Sequence, residues 1–168
     1  MRKEGTIVEQ DVLFMTEEQA GLFDEDEARE PEDSQKYLIF LTGNLKFGVN
    51  ADCVVEIITN HAITFLPMVP DHIRGIINLR GQMVPIVDIR LRLGKMPREE
   101  CLIIVLNIES TQIGILVDSV EQMIDIPKRS ILPVPAQSAQ HFVSGMCSLP
   151  DHAGTMLVLE CAQLLLHE

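Results

Sequence analysis

The segment YLIFLTGNLKFGV at positions 37–49 decides the fold, because it joins two short apolar runs through a turn. Tyr37–Leu41 and Leu45–Val49 are rich in aliphatic, β-branched and aromatic residues, and Thr42-Gly43-Asn44 lies between them. Short runs of this kind around Gly and Asn are typical of a β-hairpin. We therefore predict two antiparallel strands here.

The same hairpin pattern returns 66 positions later in the chain. Leu102–Ile108 and Gln112–Val117 flank a second turn at Glu109-Ser110-Thr111. At this offset Gly48, Asp52, Val54, Ile58, Leu66 and Pro67 meet Gly114, Asp118, Val120, Ile124, Leu132 and Pro133. The shared Gly, Pro and strand positions predict two similar β units of about 65 residues. A unit of this size buries only about 60% of its unfolded surface, so the two units are expected to share apolar surface.

Two further strands are predicted at Val84–Ile89 and Met156–Glu160, followed by a short C-terminal helix at 161–166. The sequence shows no helices of about 10–15 residues between the strands, which argues against an α/β fold. Five or so short strands avoid exposed edges by curling into a barrel. We predict an all-β fold of two packed, intertwined barrels, with a first core at about residues 36–100 and a second at about 101–168.

The net charge of −12 is concentrated in the first 35 residues, which hold twelve acidic and three basic side chains. A strongly basic nucleic-acid binder is excluded, and binding to anionic lipid is disfavoured. Residues 1–35 are predicted to be a disordered acidic tail, and residues 36–168 the folded domain. A motif around Leu13-Phe14 and Leu22-Phe23 that folds on binding is the alternative for the tail.

Targeting signals are absent from the sequence. No stretch approaches the roughly 20 consecutive apolar residues of a membrane span, and no secretory signal is visible. Cys53, Cys101, Cys147 and Cys161 are widely spaced and are expected to be reduced, mostly buried thiols. We expect a cytoplasmic protein.

No set of residues predicts catalysis. The histidines lack metal-site spacing, and no nucleophile or phosphate-loop motif is present. Asp52 and Asp118 occupy equivalent repeat positions, so each is expected to cap or bend its own strand rather than to form a catalytic pair. We predict no catalytic residue, no metal and no cofactor. A metal site at His61 and His72 with a nearby carboxylate is the alternative.

The two repeats differ at one stretch that the scaffold does not require twice. Asn78-Leu79-Arg80-Gly81 has no counterpart in the second repeat, and Glu56 is replaced there by Gln122. We predict an ion pair between Glu56 and Arg80 that orients a loop. Such a pair is a better candidate for specificity than for net stability.

These residues also carry a family resemblance. The chain resembles the CheW-like coupling proteins of bacterial chemotaxis over residues 36–166. The matching segments are Phe47–Val49, Val54–Ile57, Ile63–Pro67, Gly75–Gly81, Val84–Arg90, Val105–Asn107, Gly114–Asp118 and Leu157–Leu159.

The resemblance implies two five-stranded SH3-like barrels without catalytic activity. Members of this family bridge the cytoplasmic tips of chemoreceptors (methyl-accepting chemotaxis proteins) to the regulatory domain of a histidine kinase of the same fold. By resemblance, the receptor-binding groove consists of Val54, Glu56, Ile57, Arg80 and Val120. The loop that docks the kinase domain consists of Gly75, Asn78, Leu79, Gly81 and Pro85.

The resemblance leaves some features without a counterpart. The chain has Glu160-Cys161 where the family usually has Asp, and the acidic tail lies outside the shared pattern. Because only the tail precedes the domain, we expect a stand-alone subunit recruited to membrane receptor arrays without inserting into the membrane. Two alternatives stay open: an adaptor in a non-swimming pathway such as surface motility, and a tail that occupies the domain's own groove.

Overall fold

The computed structural model describes residues 33–59, 61–99, 101–135 and 141–164. The expectations for the acidic tail fall almost wholly outside these residues and stay predictions. Within the described part of the chain, no helix is both long enough and apolar enough to cross a membrane.

The described residues form eleven strands and one short α-helix. The elements are β1 (Ser34–Thr42), β2 (Leu45–Asn50), β3 (Val54–Thr59), β4 (Ile73–Leu79), β5 (Gln82–Asp88), α1 (Ile89–Arg92), β6 (Leu102–Ile108), β7 (Thr111–Val117), β8 (Ser119–Pro127), β9 (Leu132–Pro133), β10 (Val143–Ser148) and β11 (Thr155–Leu159). Both predicted hairpins and both further strands are confirmed. At the C-terminal end the described residues form a 3-10 turn at Cys161–Gln163, and residues 165–168 lie outside them.

The strands form two sheets that exchange their central hairpins. The five-stranded sheet has the order β3-β6-β7-β5-β4, and the six-stranded sheet has the order β9-β10-β11-β2-β1-β8. Hairpin β1–β2 thus lies between β8 and β11, which come later in the chain. Hairpin β6–β7 lies between β3 and β5, which come earlier. The sheets therefore do not divide near residue 100, as the two expected cores would. A repeat shows which segments are equivalent, but it does not show which copies pair.

The repeat is nevertheless present in the structure. The strands β3, β6, β7, β5 and β4 of one sheet correspond, in this order, to β8, β1, β2, β11 and β10 of the other. β2 runs parallel to β11, and β7 runs parallel to β5. A Cβ at Gly48 would meet the buried side chain of Met156, and a Cβ at Gly114 would meet that of Ile86. The one extra strand, β9, corresponds to a single bridge between Thr64 and Ile76 in the other sheet. One sheet therefore has six strands where five were expected.

Alternate residues of the exchanged hairpins enter different apolar clusters. On β6, Ile104 and Leu106 belong to a central cluster shared by both sheets, whereas Ile103 and Val105 belong to the core of the five-stranded sheet. On β1, Ile39 lies in the core of the six-stranded sheet, and its neighbours enter the central cluster. Burial on both faces explains why these strands are continuous apolar runs.

A bidentate ion pair ties the two sheets together near the first hairpin turn. Arg90 of α1 donates from Nε and Nη2 to the carboxylate of Asp118, at 2.9 and 2.8 Å. The same carboxylate accepts a hydrogen bond from the backbone N–H of Gly43. The Arg90 hydrogen bonds, followed by that from Gly43, lower the pKa of Asp118. Asp118 therefore links three chain segments, whereas its repeat equivalent Asp52 lies in an exposed 3-10 turn.

Two glycines around strand β4 have positive φ angles but different surroundings. Gly75 has φ +147°, and a Cβ there would collide with the backbone carbonyl of Thr64. Gly81 has φ +85°, and a Cβ there would meet nothing within 4 Å. Gly75 is thus required for the close approach of two backbones, and Gly81 only for its turn.

We expect Asp118→Asn to lower the free energy of unfolding at pH 7 by about 2 kcal/mol, because Arg90 loses a charged hydrogen-bond partner. Because the pKa of Asp118 is lowered in the folded protein, its contribution is complete above the unfolded pKa of about 4 and disappears as the pH falls through the folded pKa. Urea unfolding of both proteins between pH 7 and pH 2 measures this difference. A difference that does not shrink at low pH would contradict the assignment.

We expect Gly75→Ala to lower the free energy of unfolding by about 3 kcal/mol or more, because backbone strain and a steric collision add together. Gly81→Ala, with strain alone, should cost about 1 kcal/mol. Urea unfolding of the two variants at one pH measures both values. Equal losses of stability in the two variants would show that the collision with Thr64 adds nothing to the cost of a side chain at Gly75.

Candidate docking site

The β4–β5 turn presents three of the predicted site residues to solvent. Arg80 and Gly81 have φ angles of +51° and +85°, as the central residues of a tight hairpin turn require. The backbone N–H of Gly81 donates to Oδ1 of Asn78 at 2.9 Å. This hydrogen bond explains the Asn-x-x-Gly spacing, since it closes the turn and leaves the Arg80 side chain outside.

Arg80 reaches from this turn to the edge strand β3, where its guanidinium forms an ion pair with Glu56. The Arg80 side chain is 69% exposed and that of Glu56 is 31% exposed. Water screens an ion pair with this exposure, so it contributes little to stability. The pair joins two strands that are not neighbours in the sheet, and its role in specificity stays a prediction.

Val54 and Ile57 of β3 lie beside the central cluster. In the register, Val54 is opposite Leu106 and Ile57 is opposite Ile104, and both partners belong to that cluster. Directly opposed residues share a face of the sheet. Ile57 is nevertheless 43% exposed, so it presents apolar surface at the border of the central cluster.

Val120 borders the same cluster from the six-stranded sheet. It is half-buried on β8 and packs against the central cluster, as does its repeat equivalent Val54. Glu56, in contrast, is opposite Val105 in the register and so lies on the other face of β3. The residues expected to form one groove therefore divide into an apolar group (Val54, Ile57 and Val120) and a charged pair.

The residues expected to dock the kinase domain also divide by burial. Gly75 and Leu79 are buried, Leu79 in the core of the five-stranded sheet. Pro85 is half-buried within β5, while Asn78 and Gly81 are exposed. Leu79 therefore supports the turn from inside, whereas Gly75 lies further along β4, opposite Ile86 and against the backbone of Thr64. Of these five residues, Asn78 and Gly81 are the ones placed to touch a partner.

Several exposed apolar residues were missed by the sequence reasoning. Met83 is opposite Asn78 in the register and is 56% exposed. Phe65 and Met68, in the segment between β3 and β4, are 75% and 101% exposed. The alternation along β5 could have identified Met83, since the next residue, Val84, is buried. Phe65 and Met68 follow no strand period and gave no such signal.

The histidines of the alternative metal hypothesis have other contacts. Nδ1 of His61 lies 3.1 Å from the carbonyl oxygen of Ala62, and Nε2 of His72 lies 3.3 Å from Nη1 of Arg92. Within the described ranges, no group of three or more His, Cys, Asp or Glu side chains could hold a metal ion.

Comparisons with known proteins agree with this architecture. The family model of the CheW-like domain matches residues 36–168. The chemotaxis protein CheW of Klebsiella aerogenes is 33% identical over 138 residues, which cover 79% of this chain and 81% of that protein. The protein FrzA of Myxococcus xanthus is 28% identical over 138 residues, covering 78% of this chain and 85% of that protein.

A solved structure shares the fold. The crystal structure of the scaffolding protein TtCheW from Thermoanaerobacter tengcongensis matches with a TM-score of 0.68 and 30% sequence identity, over 74% of this chain and 88% of that one. The expected all-β fold of two SH3-like barrels is confirmed. The chain belongs to the family of CheW-like domains.

Proposed function

We propose that this protein is a non-enzymatic adaptor that couples the cytoplasmic tips of chemoreceptors to the regulatory domain of a histidine kinase in bacterial chemotaxis. Family membership supports the adaptor role, since relatives carry the name of a chemotaxis protein and the similar structure is a scaffolding protein. One observation about the site supports it most: Glu56, which forms the ion pair with Arg80 of the β4–β5 turn, lies on the same edge strand as exposed Ile57. The protein would act in the cytoplasm, at receptor arrays.

The receptor side of the proposal uses the apolar group at the border of the central cluster. Receptor tips are helical hairpins, and an amphipathic helix binds by placing its apolar face in an apolar groove. Val54 and Val120 are half-buried and shape the surface, while Ile57 offers the most accessible apolar area of the three. The charged pair on the opposite face of β3 would orient the β4–β5 turn beside the bound helix.

The kinase side of the proposal uses the β4–β5 turn. Asn78 and Gly81 are exposed there, and Met83 adds apolar surface opposite Asn78. Buried Leu79, in the core of the five-stranded sheet, would hold the turn in place. A rigid turn with one apolar side chain suits docking to a folded domain, because little order has to be gained on binding.

The alternative is an adaptor in a pathway other than swimming. The similarity to FrzA, a relative whose name does not mention chemotaxis, supports this alternative. Both adaptors would use the same surfaces. Copurification from the native cell, with identification of the receptor and of the kinase that accompany the chain, separates them.

We expect Glu56→Arg and Arg80→Glu each to weaken assembly with receptor tip and kinase regulatory domain at least about tenfold, or about 1.4 kcal/mol, without unfolding the protein. Each variant places like charges together and misdirects the turn. The double variant, which restores opposite charges, should recover part of the loss. Pull-down with both purified partners measures the assembly.

Lys36→Glu is the matched control for these variants, since Lys36 forms an exposed ion pair with Asp125 on the six-stranded sheet. It should assemble like the wild type. Normal assembly of both Glu56→Arg and Arg80→Glu would refute the role of the pair.

We expect Ile57→Asp to weaken receptor binding by about 1–3 kcal/mol, because a charged group replaces an apolar anchor. Met123 occupies the equivalent position on β8 and is 49% exposed, close to the 43% of Ile57. Met123→Asp should therefore bind the receptor tip normally, as isothermal titration with each variant would measure. Equal losses would contradict the special role of Ile57, because the equivalent position on β8 would then contribute as much to receptor binding.

A further inference from the structure

The repeat places an arginine in one sheet and a serine at the same position in the other. The β4–β5 ladder skips one residue between Ile73 and Gly75, and that residue is Arg74. The β10–β11 ladder skips one residue between Val143 and Gly145, and that residue is Ser144. The identical bulges make Arg74 and Ser144 structural equivalents.

An acidic residue also recurs at equivalent positions beside these bulges. The backbone N–H of Asp88 donates to the carbonyl of His72 at 2.7 Å, and that of Glu160 donates to the carbonyl of Phe142 at 2.6 Å. In the five-stranded sheet, Nη1 of Arg74 donates to Oδ2 of the buried Asp88 at 2.7 Å. The chain thus supplies the cation for the first acid from its own bulge.

The six-stranded sheet has a cavity where the first sheet has its arginine. This cavity has a volume of 310 Å³, and both Ser144 and Glu160 line it together with Glu109, Asn50 and Tyr37. Among the described residues, no lysine, arginine or histidine lines it. The corresponding cavity of the five-stranded sheet, in contrast, is lined by Arg74 and a second arginine, Arg98.

The other titratable groups of the cavity do not balance its two carboxylates. Burial raises the pKa of Cys161 to about 12, and burial also raises the pKa of Cys53 and of Tyr37. These groups are neutral at pH 7, so Glu109 and Glu160 leave the cavity with unpaired negative charge. Glu160 is half-buried and Glu109 is exposed, so a cation that enters from solvent can reach both carboxylates and pair with them.

We propose that this cavity binds a guanidinium group, presented by an arginine side chain of a partner protein, in the place that Arg74 occupies in the other sheet. Ser144 and Glu109 are exposed, so the cavity is reachable from solvent. A guanidinium suits it better than an ammonium, because its planar set of donors can serve a carboxylate and neutral acceptors such as Ser144 Oγ together. The site does not depend on the proposed adaptor function, since a small molecule is enough to test it.

The test is a titration of the full chain with N-acetyl-L-argininamide, followed by the amide NMR signals of residues 158–162. We expect saturable shifts with this probe, shifts at least tenfold weaker in affinity with the lysine analogue, and none with the neutral citrulline analogue. Glu160→Gln should weaken binding at least tenfold. An equal response to the citrulline analogue, or unchanged affinity in Glu160→Gln, would overturn the proposal.

A second variant keeps the proposal testable if Glu160→Gln alters the fold. Ser144→Arg should place an arginine in the cavity, abolish the shifts and raise the melting temperature, whereas Ser148→Arg, exposed on the same strand, should do neither. Binding by Ser144→Arg as strong as that of the wild type would refute the equivalence with Arg74. Free L-arginine that binds more tightly than argininamide would assign the site to a free amino acid and not to a partner.

Discussion

The fold depends on burying both faces of two hairpins, β1–β2 and β6–β7. One face of each hairpin lines the core of its own sheet, and the other face enters the central cluster. Neither sheet can complete its burial alone, because half of each hairpin would then face water. The Arg90–Asp118 pair adds a polar tie to this apolar contact and fixes the first hairpin turn against α1. Small side-chain changes in the hairpins therefore affect both sheets at once.

The candidate docking surface follows from this arrangement. The strands β3 and β8 are attached at the edges of the exchanged hairpins, so Val54 and Val120 end at the border of the central cluster from opposite sheets. An apolar surface at such a border is held in place by the buried cluster that both sheets share. The Glu56–Arg80 pair is exposed enough for water to screen it, so the recognition role proposed for it does not require a contribution to stability.

The sequence predicted the features that depend on residues close together in the chain, and it missed those that depend on distant contacts. The hairpin turns and the strands beside them were predictable, because Gly-Asn and Glu-Ser turns and apolar runs are local signals. The repeat predicted two barrels, and its one difference predicted the Glu56–Arg80 pair. The family resemblance added the SH3-like type of barrel and the other candidate site residues. Intertwined barrels were predicted, but the hairpins that they exchange were not, because an offset of 66 says nothing about which copies pair. The different burial of Gly75 and Gly81 also escaped, since it depends on the distant backbone of Thr64. The contact of Arg90 with Asp118, across 28 positions, was missed for the same reason.

The order of the strands along the chain also has a consequence for synthesis. All five strands of one sheet fall between Val54 and Val117, so this sheet is nested within the sequence of the other. It can close as soon as β7 has left the ribosome. Hairpin β1–β2, which precedes the other described strands in the chain, must wait for β8 and β11 across an interval longer than the whole nested sheet. Contacts so distant in sequence form late, and a waiting hairpin has free edges that other chains can join. Among the described strands, the earliest hairpin is thus completed last and is the most exposed to misassembly.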